Sequence, residues 1–296
     1  MQVGTPAMNQ MKHMNRFFLA TSAILATTAA SGSPPVVIEL YPDRDNTLIG
    51  STDNDLSNGA GEHFFAGRTG NLGKPNLLRR GLLRFDVSEI PSDASIVFAT
   101  LDLRVTKSPN NQSRAYELHR CLNAWGEAGS SSSGGIGAPA QPGDATWFFT
   151  FFASESWTTP GGDFLPVASA MFSVGGIGDY AVGTSGMAED VQSWIDDPTG
   201  NFGWVMIGEE DSPQTVRRFG SRENPDAVNR PKLTIAYDAG PPEIPGDFNG
   251  DGLVNGADVG LLLAAWGACR GCPEDLDDNG VVNGADLGLL LVNWTG

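Results

Sequence analysis

The feature that most constrains this chain is a twelve-residue acidic pattern that occurs twice in its last fifty residues, 28 positions apart. The first copy reads Asp247-Phe-Asn-Gly-Asp-Gly-Leu-Val-Asn-Gly-Ala-Asp258, and the second Asp275-Leu-Asp-Asp-Asn-Gly-Val-Val-Asn-Gly-Ala-Asp286. A similar apolar stretch follows each, Val259 to Trp266 and Leu287 to Trp294. A calcium loop of this length takes oxygen ligands from positions 1, 3, 5, 7, 9 and 12, with glycine at position 6 for the sharp turn. The first copy supplies Asp247, Asn249, Asp251, the Leu253 carbonyl, Asn255 and Asp258 around Gly252. The second supplies Asp275, Asp277, Asn279, the Val281 carbonyl, Asn283 and Asp286 around Gly280. Position 9 commonly acts through a water. Each loop offers three carboxylates plus amide and carbonyl oxygens, a hard donor set suited to Ca2+. Two ions are therefore expected.

Two departures separate these loops from an EF-hand. Pro245-Gly246 and Cys272-Pro273 stand where an entering helix would be, and position 12 is Asp instead of Glu. In both respects residues 246–294 resemble type I dockerin repeats. That resemblance implies a small α-helical module over 247–296, two loop–helix units paired about a pseudo-twofold axis and folded by calcium. Val259, Leu262, Leu263 and Trp266, with Leu287, Leu290, Leu291 and Trp294, would form its shared core. It also implies a docking partner. Loop positions 10 and 11, often Ser-Thr in cellulosomal examples, are here Gly256-Ala257 and Gly284-Ala285. The expected partner is a cohesin-like or other docking protein.

At the other end, Lys12 and Arg16 precede an apolar run from Phe17 to Ala30, which is too short to span a bilayer, where about 20 residues are needed. The pattern predicts an export signal over 1–30, and so a secreted or cell-surface protein. The signal holds two of the 18 basic residues and none of the 35 acidic ones, so the remainder is strongly acidic. Such a surface repels nucleic acid and anionic membranes and favours divalent cations. No later segment is apolar enough to span a membrane. Cys121, Cys269 and Cys272 are too few for a disulfide scaffold. Cys269 and Cys272, in a short polar loop of an exported protein, are expected to form a local disulfide. Cys121, in a strand-like run, reads as a buried thiol.

Residues 34–238 read as many short strands. Leu101-Asp-Leu-Arg-Val105 shows the period-two alternation of a half-buried strand, and Asp53-Asn54, Asn58-Gly59 and Pro109-Asn110 are turn signals. Met187, Val191, Trp194 and Ile195 form one apolar helical face, ended at Asp197-Pro198. Gly126 to Gly143, rich in Gly, Ser and Pro, is expected to be a flexible surface loop. The fold class expected is mainly β, a jelly-roll β-sandwich with one short helix, followed by a proline-rich linker over 239–246.

Asp45-Asn-Thr-Leu48, Arg79-Arg-Gly-Leu-Leu-Arg-Phe-Asp-Val-Ser-Glu-Ile-Pro91, Trp125-Gly-Glu127, Arg218-Phe-Gly-Ser-Arg-Glu223 and Asn229-Arg-Pro-Lys-Leu-Thr-Ile-Ala-Tyr237 resemble DNRLRE-type domains of secreted bacterial proteins. That resemblance implies a β-sandwich, glycan binding in some members, and no catalytic machinery. A glycan site needs aromatic faces and planar polar partners, which nominates Arg68, Trp125, Trp147, Arg218 and Arg222. His63 and His119 lie in strand-like runs and read as structural. Glu127, Asp144 and Asp163 read as loop caps or ion ligands, since glycosidase carboxylates carry no sequence spacing of their own. The chain is expected to be non-catalytic, its sandwich binding extracellular polysaccharide. A structural or adhesive role, or a polysaccharide-degrading enzyme carried by the tail, are the competing readings.

Overall fold

The computed structural model describes residues 34–51, 56–70, 77–239 and 244–296. The expected export signal, the turn at Asp53-Asn54 and residues 240–243 of the linker lie outside the described residues.

The domain beginning at Pro34 is mainly β, built on one large curled antiparallel sheet with small two-stranded additions. Across it the strands run Val36–Leu40, Lys232–Asp238, Ser95–Lys107, Arg217–Gly220, His63–Arg68, Leu78–Phe85, Trp204–Gly208, Arg114–Arg120 and Ala170–Val174. Gly178–Gly183 pairs with the free side of Ser95–Lys107, and Pro42–Ile49 with Leu78–Phe85. The bend falls in His63–Arg68. Its first four residues pair with Arg217–Gly220, and only Gly67 and Arg68 reach the Leu78–Phe85 strand. Gly67 turns the chain there with φ 107°, and a Cβ on it would press within 2.9 Å of the Thr215 backbone, so this position requires glycine.

The curl lets two halves of the sheet share one core. Ala99, Leu101, Leu103 and Val105 point inward from Ser95–Lys107 while Thr100, Asp102, Arg104 and Thr106 point out, the alternation their sequence predicts. Leu83, Phe85, Leu118, Trp204 and Met206 meet them from the other half. Helix α1, Ser185–Asp196, closes this core with Met187, Val191, Trp194 and Ile195, the face expected from spacing. Thr184 caps it by accepting from the Met187 N–H.

The outer face of the second half is covered too. Leu82 and Val205, one residue out of phase with Leu83 and Trp204, pack under Trp125, Ala145 and Trp157. This cover corrects one expectation. The Gly/Ser/Pro-rich stretch from Gly126 is tied to the body: Asp144, fully buried, accepts from the Ala128 and Gln141 N–H groups, and Asn58 Oδ1 accepts from Ser132 N–H. Its glycines allow close backbone approach; they do not leave the segment loose.

The tail holds helices α2, Gly256–Ala264, and α3, Gly284–Val292. Its buried core is Val254, Leu262, Val282 and Leu290, with Ile244, Phe248, Leu276 and the Cys269–Cys272 disulfide packed around it. Leu263, Leu291, Trp266 and Trp294, expected in that core, are 45–53% exposed. Each helix is nine residues long, so Trp266 and Trp294 fall beyond the helix ends, while Leu263 and Leu291 lie on exposed helix positions. Val254 and Val282, just before the helices, join Leu262 and Leu290 in the core. Among the described residues no helix is long and apolar enough to cross a membrane.

Candidate metal centre

Each acidic loop is organised from its first aspartate. Asp247 Oδ1 accepts from the Gly250 N–H at 2.9 Å and the Asp251 N–H at 3.2 Å, and its Oδ2 from the Gly252 N–H at 2.8 Å. Asp275 repeats this, with Oδ1 accepting from Asn279 N–H at 3.1 Å and Oδ2 from Gly280 N–H at 2.6 Å. Such donation folds four to five residues around one carboxylate, and the side chains at positions 3 and 5 are drawn to the same side. The backbone bends for this at positions 4 and 6, which are left-handed in both loops: Gly250 and Gly252 in the first, Asp278 and Gly280 in the second. Aspartate is one of the few non-glycine residues that adopts such a φ readily.

The closing aspartate does two jobs. Asp258 and Asp286 are the N3 residues of capping boxes: each accepts through Oδ2 from the N–H of its N-cap, Asn255 or Asn283. Through Oδ1, Asp258 accepts from Phe248 and Asn249 N–H and Asp286 from Asp277 N–H, so each closes its own loop. Burial works to raise the Asp258 carboxyl, but its N–H donors from Asn255, Asn249 and Phe248 outweigh that and hold it below the usual range. Asp286 is held low by the Asn283 N–H, against the opposing effect of burial. Both are therefore anionic at neutral pH. At position 9, Asn255 and Asn283 commit Oδ1 to the Ala257 and Ala285 N–H groups as helix caps.

In the second loop, carboxylate oxygens of Asp275, Asp277 and Asp286 lie within 4.8 Å of one another, a group that could hold a metal ion. Among the described residues it is the one cluster of three acidic or soft ligands so spaced. The first loop distributes its charges differently. Position 3 is Asn249 and position 5 is Asp251, the reverse of Asp277 and Asn279, and Asn249 Nδ2 donates to Asp251 Oδ2 at 3.0 Å. The remaining position-7 donors are the backbone carbonyls of Leu253 and Val281, the latter accepting from Asn283 Nδ2 at 2.9 Å. With their sulfurs joined, Cys269 and Cys272 offer no thiolate.

The residues nominated for glycan contact do not come together. Trp125 is 1% exposed, its indole N–H donating to the Phe202 carbonyl, so it is part of the cover over Val205. Trp147 lies half-buried under the Arg80 guanidinium at 5.0 Å. Arg68 donates to the Glu210 carbonyl, and Arg222 is taken up by Glu127 and Glu223. Arg218 lines a cavity of the β domain, with Nε on Thr106 Oγ1. Asp163 caps a loop, accepting from Thr158 and Thr159 N–H and from Asn123 Nδ2. His119 is buried between the Leu165 carbonyl and Glu117 Oε2. Sequence reasoning missed a buried acidic group: Asp45, Glu127 and Glu223 gathered around Arg222. The motif containing Arg222 and Glu223 was visible, but its partners are about 95 and 177 residues away.

No protein-family model matches this chain, and no curated protein matches it significantly.

Proposed function

We propose that this is a secreted, non-catalytic modular protein: a jelly-roll domain of DNRLRE type that binds extracellular polysaccharide, joined to a dockerin-like tail that folds around two Ca2+ ions and docks to a partner protein. The observation that carries the reading is the shared construction of the two tail loops. In each, an aspartate at position 1 gathers the N–H groups of positions 5 and 6, and an aspartate at position 12 closes the loop and caps the helix. The donors fit calcium. They are all hard oxygens, carboxylate, amide and carbonyl, with no thiolate or imidazole among them to favour a softer ion. Asp247, Asn249, Asp251, Leu253, Asn255 and Asp258 would hold one ion, and Asp275, Asp277, Asn279, Val281, Asn283 and Asp286 the other. Asn255 and Asn283, whose side chains cap the helices, would act through water.

Neutralising the acidic tail is what such ions would supply. Residues 241–296 carry nine acidic groups and one basic one, so the apo tail resists its own compaction, and two divalent ions offset half of that excess. The exposed leucines and tryptophans on α2, on α3 and just beyond them give the folded tail an apolar surface for a partner.

Calorimetric titration of the full chain tests the reading. Two Ca2+ per molecule are expected, with Zn2+ failing to replace them and chelation lowering the helical circular dichroism signal. Uptake of no ion, or a helical signal indifferent to chelator, would overturn it.

A further inference from the structure

We infer that the cavity between Phe65, Arg79, Lys107 and Arg218 is where an acidic sugar binds, held through its carboxylate. The inference rests on the polysaccharide-binding reading of the β domain and names the chemical class and the place.

The cavity, about 390 Å3, opens where four strands end or bend together: Phe65 from His63–Arg68, Arg79 from Leu78–Phe85, Lys107 at the end of Ser95–Lys107, and Arg218 beside it. That volume is at the small end of the roughly 300–1,000 Å3 typical of small-ligand sites. Its walls are partly apolar, with Ile136 77% exposed at the rim and Val216 within. Aliphatic walls suit the C–H faces of a sugar ring.

Charge distinguishes this cavity from the rest of the surface. The chain has 35 acidic residues against 18 basic ones, yet among the described residues three cations and no carboxylate line this space. Many other cations are paired: Arg80 with Glu210, Arg84 with Asp43, Arg104 with Asp179, Arg114 with Glu209, Arg120 with Asp190, Arg222 with Glu127, and Lys232 with Glu39. Arg217 is not, but it is fully buried and its guanidinium is taken up by the carbonyls of Gly175, Gln112, Thr215 and Val216. Among the described residues, Arg79, Lys107 and Arg218 form no ion pair. Glu62 exerts an attraction on Arg218 from outside the cavity lining. Of these three, Arg79 is the most deeply buried. It is 6% exposed, and its guanidinium is met by the carbonyls of Gly135, Gly50 and Leu78 alone. A buried cation without an anion is costly, and carbonyl dipoles offset only part of that cost. Burial lowers the Arg79 pKa to about 10, which still leaves it charged at neutral pH.

An anionic group entering here would meet Lys107 and Arg218 directly, and the field of Arg79 behind them. Arg218 Nε is occupied by Thr106 Oγ1, while its terminal nitrogens have no hydrogen-bond partner among the described residues. A carboxylate matches that planar fork. A densely charged phosphate polymer is a poorer fit, because the acidic remainder of the protein repels it.

The test uses the full calcium-loaded chain. Short galacturonate and mannuronate oligomers, and the same oligomers with their carboxyls reduced to alcohols, are titrated calorimetrically. Wild-type protein and a Lys107→Ala/Arg218→Ala variant are compared, with Arg104→Ala as a control that removes one cation at a surface pair. Thermal midpoint and calcium stoichiometry establish that each variant is folded. The expected result is binding of an acidic oligomer that falls at least tenfold on carboxyl reduction and in the double variant, but not in Arg104→Ala. Equal binding of acidic and reduced oligomers, or unchanged binding by the double variant, would overturn the assignment and leave the polysaccharide reading intact. Failure to bind any of these oligomers, with no binding on a broad panel of neutral and acidic polysaccharides, would overturn both.

Discussion

Arg222 reaches across 95 residues of sequence to Glu127, its Nε and Nη2 both donating to Oε1, while Glu127 Oε2 accepts from the Asp45 N–H at 2.7 Å. The backbone N–H of Arg222 donates in turn to Asp45 Oδ2 at 2.7 Å. Asp45 is fully buried, and its Oδ1 has no hydrogen-bond partner among the described residues. One arginine therefore balances three carboxylates, those of Asp45, Glu127 and Glu223, and ties three distant segments together.

Removing that arginine should be costly. Arg222→Met leaves the acidic group without its cation, and the usual penalty for breaking a buried pair is about 3–5 kcal/mol. The Arg222 side chain is 39% exposed, so solvent screening reduces the expectation to about 2 kcal/mol. Adding Glu127→Gln to Arg222→Met should recover part of the loss. Denaturant unfolding of the β domain measures both, and an unchanged midpoint in Arg222→Met would refute the coupling.

The same group sets a pH dependence. Burial pushes the Glu127 carboxyl up to about 7 against the pull of Arg222, and burial with the charge of Glu223 raises Asp45 well above the usual range. A carboxyl with a higher pKa folded than unfolded holds its proton more tightly when folded. Its effect is to make the folded state most stable while protonated, and stability falls as pH rises from about 4.3 to about 7. At fixed calcium, the thermal midpoint of the β domain should decline over that window and level off above it. Glu127→Gln should flatten the decline; a midpoint that rises through the window contradicts the reading.

Two glycines of the segment 126–143 make opposite predictions. A Cβ on Gly126 would lie 1.8 Å from the Gly143 carbonyl oxygen, whereas one on Gly134 meets nothing within 4 Å. Gly126→Ala should destabilise by about 2–3 kcal/mol through forced backbone displacement, and Gly134→Ala should change stability by less than about 0.5 kcal/mol. Equal tolerance at both positions would mean that the segment is not fastened as described.

In the tail, Asp286 separates capping from ion binding. Asp286→Ala removes both, costing α3 about 1 kcal/mol even without metal. Asp286→Asn keeps an acceptor for the Asn283 N–H but loses the charge. Both should reduce calcium uptake from two ions to one, and only Asp286→Ala should further lower apo helicity. Retention of both ions by Asp286→Ala would exclude it as a ligand.

Local spacing was readable from the sequence alone. The alternation in Leu101–Val105, the helical face of Met187, Val191, Trp194 and Ile195, and the twelve-residue ligand spacing all act within a few residues, where backbone geometry dictates which side chains share a face. Cys269 and Cys272, close in sequence, joined as expected. Tertiary structure decided what lies between segments. Trp125 left the candidate surface because Leu82 and Val205 on the sheet's outer face needed cover, and the helices proved too short to bury Trp266 and Trp294. Arg222 turned to Glu127 instead of to solvent, and Arg79, Lys107 and Arg218 met around one cavity only because the sheet curls at Gly67. Side-chain chemistry and its local period are written along the chain; which charges face each other depends on strand pairings made across a hundred residues or more, for which local spacing carries no signal.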